Sequence, residues 1–485
     1  MPRLTPQPLS FADARERGAS LHLLSEVLYG FLSPPSGERC PAQRGGVRRV
    51  GYEVSEQLLD WIWQKPQFSA KILRLVARVR EKQTDMSLHT LMFGWEYPPV
   101  HCGGLGVACQ GIVRGLLHHG AKVTLVLPHD EASEEGATIL SPGSLAGEII
   151  IPVPTKLRPY DSWRAYAQRI TEGSEPVDQL YGENLGEEVE RYTAVAAELT
   201  KAVRPDVVHT HDWMTLEAGV RASKHHRKPL VAHVHATELD RTEFRPNAWI
   251  MKRELQGLMK ADHIISVSGY TKNLLIREYG IPADKITVIH NGTFASEPLM
   301  RLDDDGGAHP LVLFLGRLTV QKGVTYFIRA AQSVHRLRPD VRFVVAGEGH
   351  LLSQLIQETF ERGLSDCMIF AGRVTSEEAR KLYSRADCFV MPSVSEPFGL
   401  VALEAITHGA PVVLSRQSGV AEVVHNAMLV DFWDTDKMAD CILTVLREKP
   451  LRAEMRSQSK RILSNHTWHR QAGKILSIYE NLPHF

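Results

Sequence analysis

The chain has 485 residues, more than one hydrophobic core usually organises, so two domains are expected before any motif is read. Apolar residues at 43% and charged residues at 23% exclude a largely disordered chain, and 56 basic against 56 acidic side chains exclude the one-signed field of a nucleic-acid binder. With no apolar run near the roughly 20 residues that span a bilayer, no signal-peptide core and no Cys-x-x-Cys pair among Cys40, Cys102, Cys109, Cys367, Cys388 and Cys441, a reducing, cytoplasmic setting is expected.

Residues 1–85 carry two amphipathic helical patterns, one marked by Val54, Leu58 and Ile62, the other by Ile72, Leu75, Val76 and Val79. The second also bears Lys71, Arg74, Arg78, Arg80 and Lys82, a basic face suited either to plain solvation or to an anionic membrane surface. This extension is expected to be mostly helical, and Met86 is an alternative start.

From residue 86, short apolar strands alternate with helical stretches: Thr90–Phe93, Lys122–Leu127, Asp206–His209, Leu230–Val234, His263–Val267 and Ile286–Ile289. Arg301–His309, with three consecutive aspartates and two glycines, reads as a linker. The pattern then restarts with Leu311–Leu315, Val341–Ala346, Met368–Ala371, Cys388–Met391 and Pro411–Leu414. The fold class is therefore α/β: two Rossmann-like, doubly wound parallel-sheet domains, 86–300 and 301–464, with the ligand crevice at the carboxyl ends of their strands.

Three segments carry the chemistry. Gly103-Gly104-Leu105-Gly106 follows the first strand and opens a helix, where backbone N–H groups can approach a phosphate or sugar; tight packing of helix on sheet is the alternative reading. Arg317 ends a strand of the second unit and Lys322-Gly323 follows within the same loop, so a guanidinium and an ammonium are available to a diphosphate. In Glu396-Pro397-Phe398-Gly399-Leu400, free helix N–H groups can cradle phosphate, with Glu396 placed to meet a sugar and Glu404 a ribose.

Two His-x-His pairs, His209/His211 and His233/His235, end apolar strands, and alternate residues there share a face. A hydrolytic metal site needs further ligands that the later strands do not supply, so no metal is expected. The histidines, with Asp212, Glu238 and Asp240, suit a carbohydrate cleft instead.

Taken together, these residues resemble the retaining GT-B glycosyltransferases of family 4, close to bacterial glycogen and starch synthases. The likeness spans most of 86–485: Gly-Trp-Glu-Tyr-Pro-Pro before the glycine turn, Tyr181-Gly-Glu-Asn-Leu, His-Thr-His-Asp-Trp at 209–213, His-Ala-Thr-Glu-Leu-Asp-Arg at 235–241, Gly-Arg-Leu with Lys322-Gly323, and two glutamates separated by seven residues. The resemblance implies transfer of a hexose, with glucose leading, from a UDP- or ADP-sugar to a glycan, a lipid-linked sugar or a small metabolite, with retained configuration and no metal or resident cofactor. It implies that Arg317 and Lys322 hold the diphosphate, Glu396 the transferred sugar, Glu404 the ribose and His235 the sugar near its reacting carbon. It further implies that Gly103, Gly104 and Leu105 close over the donor, beside Phe398, Gly399 and Leu400, and that residues 465–485 form a helix crossing back to the first domain. His101-Cys102 stands where many glycogen synthases carry a lysine, which departs from the α-glucan synthase pattern. A nucleotide-sugar 2-epimerase and a non-catalytic sugar-nucleotide sensor share the architecture and remain alternatives.

Overall fold

In the computed structural model, residues 87–98, 103–128, 148–152, 185–242, 244–294 and 309–483 are described. The helical patterns of 1–85, His101-Cys102, Tyr181 to Asn184 and nearly all of the linker lie outside them.

Strands that are apolar on both faces need cover on both faces, and parallel pairing with intervening helices supplies it. The first sheet comprises β1 (His89–Phe93), β2 (Lys122–Leu127), β3 (Glu148–Pro152), β4 (Val207–His211), β5 (Leu230–Val234), β6 (His263–Ser266) and β7 (Ile286–Val288), in the order β3-β2-β1-β4-β5-β6-β7. The second comprises β8 (Leu311–Leu315), β9 (Arg342–Ala346), β10 (Met368–Gly372), β11 (Cys388–Met391), β12 (Val412–Ser415) and β13 (Met428–Val430), in the order β10-β9-β8-β11-β12-β13. Every ladder in both is parallel. Both sheets are thus doubly wound, with strand order reversing between β1 and β4 and between β8 and β11.

The helices are α1 (Gly104–His118), α2 (Leu185–Leu199), α3 (Trp213–His226), α4 (Glu238–Arg241), α5 (Ala248–Lys260), α6 (Gly269–Tyr279), α7 (Val324–Leu337), α8 (Leu352–Glu361), α9 (Ser376–Arg385), α10 (Leu400–Thr407), α11 (Thr435–Arg447), α12 (Lys449–Asn465) and α13 (Trp468–Asn481). Short polar residues start several of them: Thr375 forms a capping box with Glu378, and Asn247, Ser268 and Thr467 each accept a backbone N–H of the helix they open.

Two strands escaped the sequence reading. Glu148–Pro152 is an edge strand in a stretch to which no strand was assigned, and Met428–Val430 is three residues long, too short for a periodic signal. Conversely, β4 runs two residues past the expected end at His209, because the ladder to β5 continues through Thr210↔Ala232 and His211↔His233 despite the polar side chains.

The two domains are joined twice. Ile462 of α12 packs in the second domain, the chain bridges Thr293 to Thr467, and α13 then lies on α1 of the first domain. That contact needs glycine: a Cβ on Gly111 would lie 2.2 Å from the Trp468 ring, so the indole fills the space a side chain would take. Trp468, Ala472, Ile475 and Tyr479 are buried there with Ile112 and Leu116.

Candidate functional site

The carboxyl end of β1 delivers Gly94, Trp95 and Glu96 to the first switch point. Glu96 is 3% exposed and accepts the Gly103 N–H at 3.2 Å, which fixes the glycine turn against a carboxylate. Burial pushes its carboxyl up to about 7, against the pull of the Arg317 guanidinium from the second domain and of the Gly103 and Gly106 N–H groups. Gly104, first residue of α1, faces Leu400 of the second domain, and no acidic side chain occupies the first turn of α1. The glycine turn and the start of α10 therefore confront each other across the cleft.

At the ends of β4 and β5, four buried imidazoles come together. His209 and His211 stand 4.6 Å apart between ring centroids and His233 and His235 4.4 Å, nearly parallel, while His211 Nδ1 meets His235 Nε2 at 2.8 Å. One of those nitrogens carries the shared proton and the other accepts it. Burial, reinforced by neighbouring histidines, holds His209, His211 and His233 well below the usual range; burial and then Arg241 bring His235 to about 3, so all four are neutral at pH 7. Ligand atoms of Cys109, His211 and His235, and of His209, His211 and His233, lie within 4.8 Å of one another. The rings of the all-histidine group are tilted by only 17° to 24° to one another.

His235 is held by its backbone. Asp212 Oδ1 accepts the N–H groups of His235 at 2.7 Å and Ala236 at 3.2 Å, and Arg241 Nη2 donates to Asp212 Oδ2 at 2.9 Å. Both members of this ion pair are buried, where losing one partner leaves the other charge stranded. Asp212 adopts φ 57°, a left-handed backbone costly for a non-glycine residue and commonly kept where a site requires it.

The second switch point is charged. Lys322 Nζ lies 2.6 Å from Glu396 Oε2, to which Ser393 Oγ also donates at 3.0 Å. Gln321 Nε2 donates to the Ser395 carbonyl at 3.0 Å, and the Glu396 N–H donates to the Gln417 carbonyl at 2.9 Å, so the glutamate loop is fixed from two sides. Gly323, next to Lys322, has φ 69°, and a Cβ there would fall 1.9 Å from the Pro392 carbonyl oxygen; only glycine lets the lysine loop approach the end of β11 so closely. Arg317, just beyond β8, faces Glu96 across the cleft and His350 within its own domain.

The remaining residues divide by role. Gly399 caps α10 at φ 108°, and the Phe398 side chain is buried in the second-domain core, which leaves that turn's backbone to meet a ligand. Glu404, half-buried on α10, accepts from the Tyr383 hydroxyl at 3.1 Å, and burial pushes its carboxyl up. It makes that bond apart from the Lys322–Glu396 pair. The loop also belongs to both domains, since Ser395 Oγ donates to Asp240 Oδ1 at 2.6 Å and Ser268 Oγ donates to the Pro397 carbonyl at 2.6 Å.

The sequence reading passed over Glu96 and gave the Asp212–Arg241 pair no structural part. Their signal was position: Glu96 lies three residues past β1 and Asp212 directly follows β4, the two strands that flank the first switch point.

Comparison with known proteins follows the same division of the chain. Residues 102–297 match the model of the Glycosyltransferase Family 4 domain, and residues 306–462 match that of the Glycosyl transferases group 1. The chain is 28% identical over 412 residues to an uncharacterized glycosyltransferase, MJ1607, of Methanocaldococcus jannaschii, covering 80% of this chain and 97% of that one. It is also 28% identical over 422 residues to the glycogen synthase of Mycobacterium tuberculosis, covering 81% and 94%. Among solved structures, sucrose-phosphate synthase from Thermosynechococcus elongatus superposes with a TM-score of 0.64 at 18% identity, covering 81% of this chain and 98% of that one. Anabaena Alr3699/HepE, in complex with UDP and glucose, gives 0.60 at 20%, covering 81% and 100%.

Proposed function

Because the chain belongs to the glycosyltransferases, with a family 4 domain in its first half and a group 1 domain in its second, we propose that it transfers a hexose, with glucose as the leading choice, from a UDP- or ADP-sugar to a hydroxyl of a glycan or other acceptor, with retained configuration and without a metal. The observation that carries this reading is the Lys322–Glu396 pair at the second switch point, one loop from Arg317.

Departure of a nucleoside diphosphate develops negative charge on the β-phosphate. Arg317 and Lys322, with the open N-terminal turns of α1 and α10, supply fixed positive potential there in place of a cation. Glu396 orients the sugar through its hydroxyls while holding Lys322 in place, Glu404 takes the ribose, and Gly103, Gly104 and Leu105 cover the donor from the first domain. Neutral His235 hydrogen-bonds the sugar near C1, as a neutral imidazole can without competing for the diphosphate.

In the reaction the bond from C1 to the phosphate oxygen breaks and a bond from the acceptor oxygen to C1 forms on the same face. The acceptor proton passes to the departing phosphate oxygen, so no protein base is consumed. Closure of the two domains excludes water, which otherwise competes with the acceptor. The HepE complex with UDP and glucose, on the same fold, supports a nucleotide-sugar donor.

The test is nucleoside diphosphate release from UDP-, ADP- and GDP-sugars, with and without glycogen, in EDTA. Release from a UDP- or ADP-glucose donor that rises with acceptor and survives EDTA is expected. Acceptor-independent release with an altered sugar would replace this reading by epimerisation, and binding without turnover by a sensor.

A further inference from the structure

The carboxyl end of β13 runs into Asp431-Phe432-Trp433-Asp434-Thr435-Asp436. Trp433 is 59% exposed, an unusual position for an indole. Its ring meets that of Phe432 edge-on at 4.8 Å, and Phe432 meets Tyr326 at 5.0 Å. Tyr326 lies in the first turn of α7, four residues after Lys322. Tyr326 and Phe432 are half-buried, and with the exposed Trp433 they form an edge-to-face aromatic cluster at the carboxyl-end rim of the second sheet, the rim that also carries Glu396.

A single exposed aromatic residue needs no explanation. This cluster differs in being linked by hydrogen bonds to the proposed transfer site: Gln417, whose carbonyl accepts the Glu396 N–H, donates through Nε2 to Asp431 Oδ1 at 2.9 Å, two residues before Trp433. Polar groups also border it. Arg329 lies over the Tyr326 ring at 5.7 Å, and Arg416 pairs loosely with Asp431 at 4.0 Å.

Aromatic faces stack on the C–H faces of pyranose rings, while bordering carboxylates, amides and guanidinium groups bond the hydroxyls. A lipid surface also takes tryptophan, but Asp431, Asp434 and Asp436 set three carboxylates against its anionic headgroups. We propose that Tyr326, Phe432 and Trp433 form a glycan-docking platform that holds a hexopyranose chain of a polymeric acceptor beside the transfer site. The glycosyltransferase reading gives this platform its use, but binding to it requires neither donor nor turnover.

The full chain is run in native gels containing glycogen, dextran or hydroxyethyl cellulose, without donor. Retardation by at least one polymer is expected, weakened about tenfold in Trp433→Ala and largely restored in Trp433→Phe, while transfer to a short oligosaccharide is unchanged. No retardation by any polymer, equal retardation of Trp433→Ala, or Trp433-dependent sedimentation with phosphatidylglycerol vesicles overturns the proposal. Trp433-dependent retardation in a protein that releases no nucleotide from any sugar donor leaves the platform standing and removes the proposed reaction instead.

Discussion

The two sheets share one strand order, to which the first adds the edge strand β7, and they equip the cleft in opposite ways. At the first switch point the polar groups are buried and mostly neutral: four imidazoles, a Glu96 carboxyl raised to about 7, and the Asp212–Arg241 pair whose charges cancel. At the second, Lys322 pairs with Glu396 in a partly open loop, and Arg317 lies on the same β8-to-α7 connection as Lys322. A dry, neutral wall suits the hydroxyls of a sugar, which hydrogen-bond in either direction; a charged loop suits a phosphate. In doubly wound sheets the reversal of strand order sets where a ligand crevice opens, and here the two reversals carry different chemistry.

The largest effect should come from the charged side. Lys322→Ala or Glu396→Ala is expected to lower acceptor-dependent transfer by about 10³-fold, with a thermal midpoint close to the parent's; nucleotide release at the parental rate in both would remove the assignment. On the neutral side, Glu96→Gln sharpens the comparison through pH. A carboxyl raised from 4.5 to about 7 in the folded state costs nothing below pH 4.5, where folded and unfolded chains are both protonated, and its cost grows as pH rises and levels off above about 7. Relative to the parent, Glu96→Gln should therefore gain up to about 3 kcal/mol between pH 4.5 and pH 7.5 in urea titrations; a pH-independent difference would mean that Glu96 ionises freely.

The smallest expected change concerns the imidazole pair. His211→Phe keeps the stacked volume and removes the partner of His235, so kcat should fall about tenfold with little change in donor KM. A parental kcat would mean that the His211–His235 bond does not orient His235.

Much of the second site was legible because its chemistry is local. Arg317, Lys322, Glu396 and Gly399 follow strands β8 and β11 within a few residues, and the spacing of charges and glycines survives in one dimension. The first site is different. Its histidines were visible as strand-end pairs, but whether they face a ligand, a metal or one another depends on the β4–β5 register, which sets His211 opposite His233. Glu96 was marked only by its position after β1, since its raised carboxyl arises from burial, which the sequence does not display.

By itself, then, the sequence determined the α/β class, the repetition of a doubly wound unit and the charged loop of the second, because hydrophobic period, glycine turns and adjacent charges are properties of neighbours along the chain. Only the tertiary structure decided which polar groups are dry, which pair across the cleft, as Ser395 does with Asp240, and how Trp468 seats in the space at Gly111. Those depend on residues more than a hundred positions apart, and burial, the term that sets both protonation and packing, is a property of the folded whole.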